Sequence, residues 1–100
     1  MAKGYWIASV DVTDPEGYQA YVAANAAAFR KYGAKFIVRG GRFEVPEGTA
    51  RSRNIVLEFK DYDTALACYR SPEYVAAKAL REGRSEASLI IIEGYDGTQP

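Results

Sequence analysis

The sequence predicts a single α+β domain in which strands and helices follow one another in the order β-α-β-β-α-β. Apolar residues alternate along several short segments, two regions show helical periodicity with start and stop signals, and 100 residues suffice for one core only. Right-handed connections between these elements give a ferredoxin-like sandwich, a four-stranded antiparallel sheet with the helices on one face. We assign residues 1–96 to this one domain and the polar residues 97–100 to a loose C-terminal tail.

The first strand and the first helix show the clearest signals. Along residues 3–12, apolar residues recur at every second position from Trp6 to Val12, which predicts a strand. Asp14 is placed to cap a helix that begins at Pro15, because a carboxylate accepts free backbone N–H groups and proline suits the first helical position. The apolar stripe of this helix continues to Tyr32, and Gly33 is suited to end it in the left-handed conformation.

The remaining elements are shorter. We expect further strands at residues 34–39, 53–59 and 87–95, with an irregular hairpin connection after the first of these. The helical region before the last strand begins at Asp61 or Asp63, restarts at Pro72 and closes at Gly83.

Both faces of the predicted sheet are apolar. On the face that the helices cover we place Phe36, Val38, Ile55, Leu57, Phe59, Ile90 and Ile92. The opposite face then carries Ile7, Ile37, Val56, Leu89 and Ile91. The sequence leaves open which parity faces the helices, but one apolar face stays uncovered in either case. We therefore predict a homodimer in which a second copy covers that face.

The composition argues against several classes of function. Thirteen basic and thirteen acidic residues balance, which leaves no electrostatic footprint for nucleic acid or an anionic membrane, and the apolar run at residues 89–92 is too short to span a bilayer. The chain has no histidine, which removes most catalytic triads and zinc or haem sites, and we predict neither a metal nor a cofactor. Cys68 is the single cysteine and no signal peptide precedes the first strand, so we expect a buried, inert thiol and a cytoplasmic location.

Polar residues interrupt the face that the helices leave uncovered. These are Ser9, Asp11, Arg39, Glu58 and Glu93. In one interpretation they bind a small polar ligand, with Arg39 orienting an anionic group and Glu58 as the candidate general base. In the other, Arg39 pairs with Glu58 or Glu93 and fixes the register of the dimer.

Further candidate residues lie on the helices and at the start of the third strand. Tyr18, Tyr21 and Tyr69 are phenols on helical stripes, where they either contact a ligand or belong to the core. Asn25 falls on the same stripe as Tyr21 and is either a ligand contact or a satisfied core amide. Arg53 belongs to a local basic cluster that either meets a carboxylate or is solvated.

Several short segments form a recognisable pattern in their order and spacing. They are Gly4-Tyr5-Trp6-Ile7-Ala8, Asp14-Pro15 with Tyr18 and Tyr21, Arg39-Gly40-Gly41, Glu47-Gly48, Arg53 with Glu58-Phe59, Tyr69 with Ser71-Pro72-Glu73-Tyr74, and Glu93-Gly94. Together they resemble domain-of-unknown-function family 1330. The resemblance covers nearly the whole chain and implies a dimeric α/β barrel, in which two ferredoxin-like sheets face each other. This family has no established activity. Its fold is similar to that of cofactor-free monooxygenases and muconolactone isomerases, an analogy of fold only.

One departure from the family pattern concerns the segment after Glu47-Gly48. The family often has an aromatic residue there, whereas this chain continues with Thr49-Ala50. If that aromatic residue lines a pocket in the family, the pocket of this chain is altered.

Two functional hypotheses follow. In the first, each protomer of a homodimer binds a small organic molecule between sheet and helices and performs cofactor-independent, monooxygenase- or isomerase-like chemistry. The polar lining is then expected to consist of Tyr18, Tyr21, Asn25, Arg39, Arg53, Glu58 and Tyr69. In the second, the protein is a non-catalytic small-molecule-binding or assembly module, and a cavity of ligand size with convergent polar groups is the feature that separates the two.

Overall fold

The computed structural model describes residues 2–100, which form four strands and three helices. In chain order these are β1 (Gly4–Val12), α1 (Pro15–Tyr32), β2 (Lys35–Arg39), β3 (Arg53–Phe59), α2 (Tyr62–Arg70), α3 (Pro72–Ala79) and β4 (Ser85–Glu93). The strands form one sheet in the order β2-β3-β1-β4, and each neighbouring pair is antiparallel. The predicted α+β class and β-α-β-β-α-β order are confirmed.

Side chains and one glycine set the ends of the helices. The Asp14 carboxylate accepts the backbone N–H of Gly17 at 3.1 Å at the start of α1, and Gly33 ends that helix with φ of 68°. Asp61, rather than Asp63, caps α2 by accepting the Thr64 N–H at 2.8 Å. Ser71 separates α2 from α3, because its hydroxyl donates to the Cys68 carbonyl and accepts the Tyr74 N–H.

The end of the helical region and the start of β4 differ from the prediction. Helix α3 ends at Ala79, and a turn that carries Arg81 and includes Gly83 at φ of 73° leads to β4. Strand β4 begins at Ser85, two residues earlier than expected, because the ladder with β1 continues to the pair of Ser85 with Val12.

The register between β1 and β4 corrects the predicted faces of β4. Ile90 pairs with Ile7 and Ile92 pairs with Tyr5, so both isoleucines lie on the face away from the helices. Leu89 and Ile91, which pair with Ala8 and Trp6, face the helices instead. The segment is apolar in both parities, so only the strand pairing decides which set is covered.

A β-bulge in β2 reverses the predicted faces at the end of that strand. Phe36 pairs with Leu57 on the helix side, but the register then shifts, so that Val38 pairs with Val56 and Arg39 pairs with Ile55. One extra residue changes the parity of every residue after it. Val38 therefore lies on the open face, and Arg39 lies on the helix side rather than on the open face.

Aromatic rings fill the core at the end of the sheet where β1 begins. The indole of Trp6 lies 4.9 Å from the ring centroid of Tyr74 and 5.4 Å from those of Phe29 and Phe59. Its Nε1–H donates to the Ala65 carbonyl at 2.9 Å, which ties β1 to α2. This end of the helix–sheet interface is filled, and free space is left at the other end.

The face of the sheet away from the helices is open to solvent. It exposes Ile7, Val38, Ile90 and Ile92, each between 42% and 53%. Residues 40–50 of the connection between β2 and β3 are exposed throughout. Within residues 2–100, no helix is both long and apolar enough to cross a membrane.

Candidate functional site

A cleft separates α1 from the helix-facing side of the sheet. Its empty volume, including the open mouth, is about 590 Å³, of which about 50 Å³ can be reached by the centre of a water molecule. Its walls come from all four strands, α1, Tyr74 of α3 and Arg81 of the turn after α3. A space of this kind admits a small molecule, or one end of a larger one.

Small side chains on the strands explain why the cleft is present. Trp6 fills the helix side of β1 at one end, but the next residue on that side is Ala8. On the neighbouring strand β4, Ala87 likewise lines the cleft. The aliphatic residues Ile55 and Leu89, which pair with Arg39 and Ala8, complete an apolar floor.

Three polar side chains of α1 border the cleft because their spacing places them on one side of the helix. They are Tyr18, Tyr21 and Asn25, all of which are buried. The hydroxyl of Tyr21 lies 2.7 Å from that of Tyr74, and either phenol can be the donor. This bond connects α1 to α3 across the edge of the cleft.

Burial sets the protonation state of these phenols. It is the largest cause that raises the pKa of Tyr18, Tyr21 and Tyr74 above the ordinary value of a tyrosine. The three phenols are therefore protonated at neutral pH and offer hydrogen-bond donors to a ligand. Within the part of the chain that the structure describes, no thiol lines the cleft. The buried Cys68 lies in the core, where burial raises its pKa to about 12.

Three guanidinium groups complete the polar side of the cleft. Arg39, at the end of β2, is exposed and lies over the ring of Phe36, with 4.1 Å between the guanidinium carbon and the ring centroid. Arg53 begins β3 and is half-buried. Arg81 is half-buried in the turn after α3, and its guanidinium carbon lies 5.4 Å from the ring centroid of Tyr21.

The structure brings most of the predicted site residues together. Those around the cleft are Tyr18, Tyr21, Asn25, Arg39 and Arg53. Tyr69 lies outside it, in the core, with its ring centroid 5.7 Å from that of Trp6. Whether any of these residues contacts a ligand stays a prediction.

The prediction that Glu58 lines the same cleft is wrong. Leu57 faces the helices, so the period of two in a strand turns Glu58 to the opposite face of the sheet. There its carboxylate lies 3.2 Å from the Nζ of Lys3. The alternative pairing of Arg39 with Glu58 within one chain also fails, because the two side chains are on opposite faces.

Sequence reasoning missed Arg81, Trp6 and Tyr74 as cleft residues. Arg81 was assigned to a helix that ends earlier than predicted, and nothing in the local pattern marks a turn residue that points back toward α1. The alternation along β1 placed Trp6 on one side of a strand, which is the only signal that it shares a surface with Ala8. Among residues 2–100, no cluster of three or more metal-ligating side chains is present.

Comparison with known proteins agrees with this architecture. The family model named "Domain of unknown function (DUF1330)" matches residues 3–95. The chain belongs to the DUF1330 family. No curated protein matches the sequence of this DUF1330 member.

Solved structures similar to this DUF1330 protein share its fold at low sequence identity. A protein of unknown function from Rhodopseudomonas palustris is 17% identical, with a TM-score of 0.75 over 99% of this chain and 85% of its own. SnoaB, a cofactor-independent oxygenase from Streptomyces nogalater, is 13% identical, with a TM-score of 0.66 over 100% and 97%. A dimeric ferredoxin-like protein of unknown function from Thermobifida fusca is 15% identical, with a TM-score of 0.61 over 91% and 90%. At these identities the likeness is one of fold.

Proposed function

We propose that this DUF1330 protein is a homodimer in which each protomer binds a small organic molecule in the cleft between α1 and the sheet. The observation that carries the proposal is the cleft itself, which joins an apolar floor to convergent phenol, amide and guanidinium groups. Ligand sites in proteins combine such a floor with a few polar groups that fix orientation. If the interface between α1 and the sheet served only to pack the core, side chains would fill this space.

Cofactor-independent chemistry at this site, by proton transfer or by addition of oxygen to an electron-rich substrate, is the catalytic form of the proposal. It is supported by the similarity in fold to SnoaB, which is a cofactor-independent oxygenase. In this chain the hydroxyls of Tyr18 and of the Tyr21–Tyr74 pair are the groups placed to donate a proton or a hydrogen bond to a substrate oxygen. The guanidinium groups would stabilise negative charge that develops on that substrate.

The alternative is a binding module without catalysis. It is favoured by the position of Glu58, since the predicted base lies on the other face of the sheet and no carboxylate among the described residues lines the cleft. Burial raises the pKa of these phenols, so at neutral pH they stay protonated, donate hydrogen bonds and do not act as bases. The binding site is the same in both forms of the proposal, so binding is tested first.

The dimer is supported by the open face of the sheet. Ile7, Val38, Ile90 and Ile92 form an apolar surface there, and such a surface on a soluble domain marks an interface. We commit to a second copy as its occupant, because proteins with this fold from Thermobifida fusca and Bacteroides fragilis are dimeric. The cytoplasmic location stays a prediction that rests on the single cysteine.

Sedimentation tests the dimer directly. The wild-type protein is expected at about 22 kDa, twice the 11.0 kDa chain. Ile90→Lys places a charge in the apolar face and is expected to give monomers, whereas Val75→Lys changes an exposed α3 residue and keeps the dimer. A wild-type monomer, or a dimer that survives Ile90→Lys, would overturn this part of the proposal.

Binding can be followed through Trp6, the only tryptophan, which is 2% exposed and lines the cleft. Small phenols, enols and aromatic acids are titrated while indole fluorescence is recorded, and each compound that binds is then assayed for oxygen uptake and for exchange of its protons with solvent. Quenching that saturates supports binding. Turnover supports the catalytic form, and saturable binding without turnover supports the module.

A matched pair of substitutions assigns the binding to the cleft. Val22→Phe adds bulk to a residue that lines the cleft, and Val75→Phe makes the same change on the exposed surface of α3. The first is expected to abolish binding and the second to leave it unchanged. Val22→Ala, which enlarges the cleft, is expected to admit larger ligands. If Val22→Phe binds as the wild type does while its circular dichroism is native, the cleft is not the site.

A further inference from the structure

The charges around the cleft are all of one sign. Among residues 2–100, three arginines line it and no aspartate or glutamate does, and none of those arginines belongs to a salt bridge. Elsewhere the chain supplies counter-charges, since Arg51 binds Asp11 at 3.1 Å and Arg84 binds Asp14 at 2.6 Å. The cleft therefore holds positive charge that the described residues do not neutralise.

Arg53 shows the clearest sign of a missing partner. Its Nε is buried and makes no hydrogen bond to any of the described residues, although buried donors in proteins are nearly always satisfied. Arg39 faces the same side of the neighbouring strand, opposite Ile55 and thus one diagonal step from Arg53. Like charges in this arrangement repel each other. A negatively charged acceptor between the two guanidinium groups would relieve both problems.

The phenols next to Arg81 do not supply that negative charge. The guanidinium lies over the ring of Tyr21, close to the Tyr21–Tyr74 hydroxyl pair. Burial, the largest cause, raises the pKa of both phenols, so they are neutral at physiological pH. They can accept a hydrogen bond from Arg81 or donate one to a ligand, but they leave its charge uncompensated.

Resting on the proposed function, we propose that the ligand of this cleft is a small organic oxyanion, in its simplest form an aromatic carboxylate. Arg53 and Arg81 bind the oxygens and Arg39 contacts them from the mouth, because a guanidinium fork matches the two oxygens of a carboxylate. The carbon body of the ligand lies against the apolar floor, beside Trp6 and Leu89.

Benzoate and benzamide, which share size and shape and differ in charge, test the inference through the fluorescence of Trp6. Benzoate is expected to bind at least about tenfold more tightly than benzamide. Phenyl phosphate, included as a third probe, distinguishes a site for carboxylates from one that prefers phosphate esters. Tighter binding of either benzoate or phenyl phosphate than of benzamide supports an oxyanion site. If phenyl phosphate binds more tightly than benzoate, the oxyanion is a phosphate ester rather than a carboxylate.

Substitutions of the arginines provide the second readout. Arg53→Gln and Arg81→Gln are each expected to weaken the affinity for benzoate by about tenfold or more and to leave the affinity for benzamide within about twofold of the wild-type value. Arg53→Lys keeps the charge but not the fork, so its affinity for benzoate should lie between that of the wild type and that of Arg53→Gln. Arg70→Gln makes the same change of charge at an exposed residue outside the cleft, and is expected to alter neither affinity.

The outcomes separate this inference from the proposal on which it rests. Suppose that neutral compounds bind to the wild type but not to Val22→Phe, and that benzoate binds no more tightly than benzamide. This result would overturn the oxyanion and leave the binding site standing. Equal losses for benzoate and benzamide in the arginine variants would also overturn it, since the arginines would then act only on structure. If no compound of any charge binds, the proposed function fails and this inference fails with it.

Discussion

The phenol pair between α1 and α3 offers a sharp test of how the helices are held over the sheet. The hydroxyls of Tyr21 and Tyr74 are 2.7 Å apart, and the two side chains are 8% and 0% exposed. Tyr74→Phe or Tyr21→Phe removes one hydroxyl and leaves the other buried without this partner, although Asn25 stays beside the Tyr21 hydroxyl and Arg81 beside that of Tyr74. A buried polar group left unsatisfied costs about 1–3 kcal/mol, whereas removal of both partners is close to neutral.

This cost is large against the free energy of unfolding of a small domain. Total stability is typically about 5–15 kcal/mol, and urea unfolding has a slope of about 1–3 kcal/mol per molar. At a slope of about 2 kcal/mol per molar, each single variant is therefore expected to lower the urea midpoint by roughly 0.5–1.5 M. Protein concentration is held constant across the series, because the stability of a dimer depends on it.

The double variant and an exposed control complete the cycle. Tyr95→Phe also removes a hydroxyl that forms a hydrogen bond, to the carbonyl of Thr98 at 2.6 Å, but Tyr95 is 72% exposed and water can replace the bond. We expect a change within about 0.5 kcal/mol there. Tyr21→Phe combined with Tyr74→Phe should cost less than the sum of the single changes. Additive losses, or single losses no larger than that of Tyr95→Phe, would refute the coupling.

Two further predictions concern the start of α1 and the core thiol. A hydrogen bond from the Gly17 N–H, and to a smaller extent one from Arg84, holds the pKa of Asp14 below its ordinary value. The ionised Asp14 therefore stabilises the fold above the unfolded-state pKa, and this stabilisation is lost as pH falls through the lower folded-state pKa. Asp14→Ala should therefore lower the urea midpoint at neutral pH, and a gap from wild type that stays constant on acidification would contradict this. With a pKa of about 12 in the core, Cys68 should react with a thiol reagent at pH 8 only after unfolding, and prompt reaction of the native protein would show that it is accessible.

Local signals predicted the helices well because their ends depend on a few neighbouring residues. Asp14, Pro15 and Gly33 occupy the positions that cap chemistry assigns to them. The end of α3 was missed, because the chain there forms a turn before Gly83 and no single residue before it interrupts the helical pattern.

The faces of the sheet were harder to predict because they depend on pairing between distant residues. Leu89 to Ile92 are apolar in both parities, so the pattern alone does not fix which pair faces the helices. The bulge between Phe36 and Val38 leaves no mark in the sequence, yet it brings Arg39 into the cleft. The same period of two places Glu58 on the face opposite Leu57, so its inclusion in the lining of a cleft between sheet and helices conflicted with the alternation itself.

The proposed dimer interface and the candidate ligand site lie on opposite faces of the same strands. Ala8 lies in the cleft between Ile7 and Ser9 of the other face, and Leu89 lies in it next to Ile90. A dimer that covers Ile7 and Ile90 would hold the strands that form the floor of the cleft. Substitutions on the open face therefore report on assembly, and those at Val22, Arg53 and Arg81 report on the ligand. An effect of Ile90→Lys on the affinity for benzoate, measured with its secondary structure intact, would indicate that the two faces are coupled through the strands that they share.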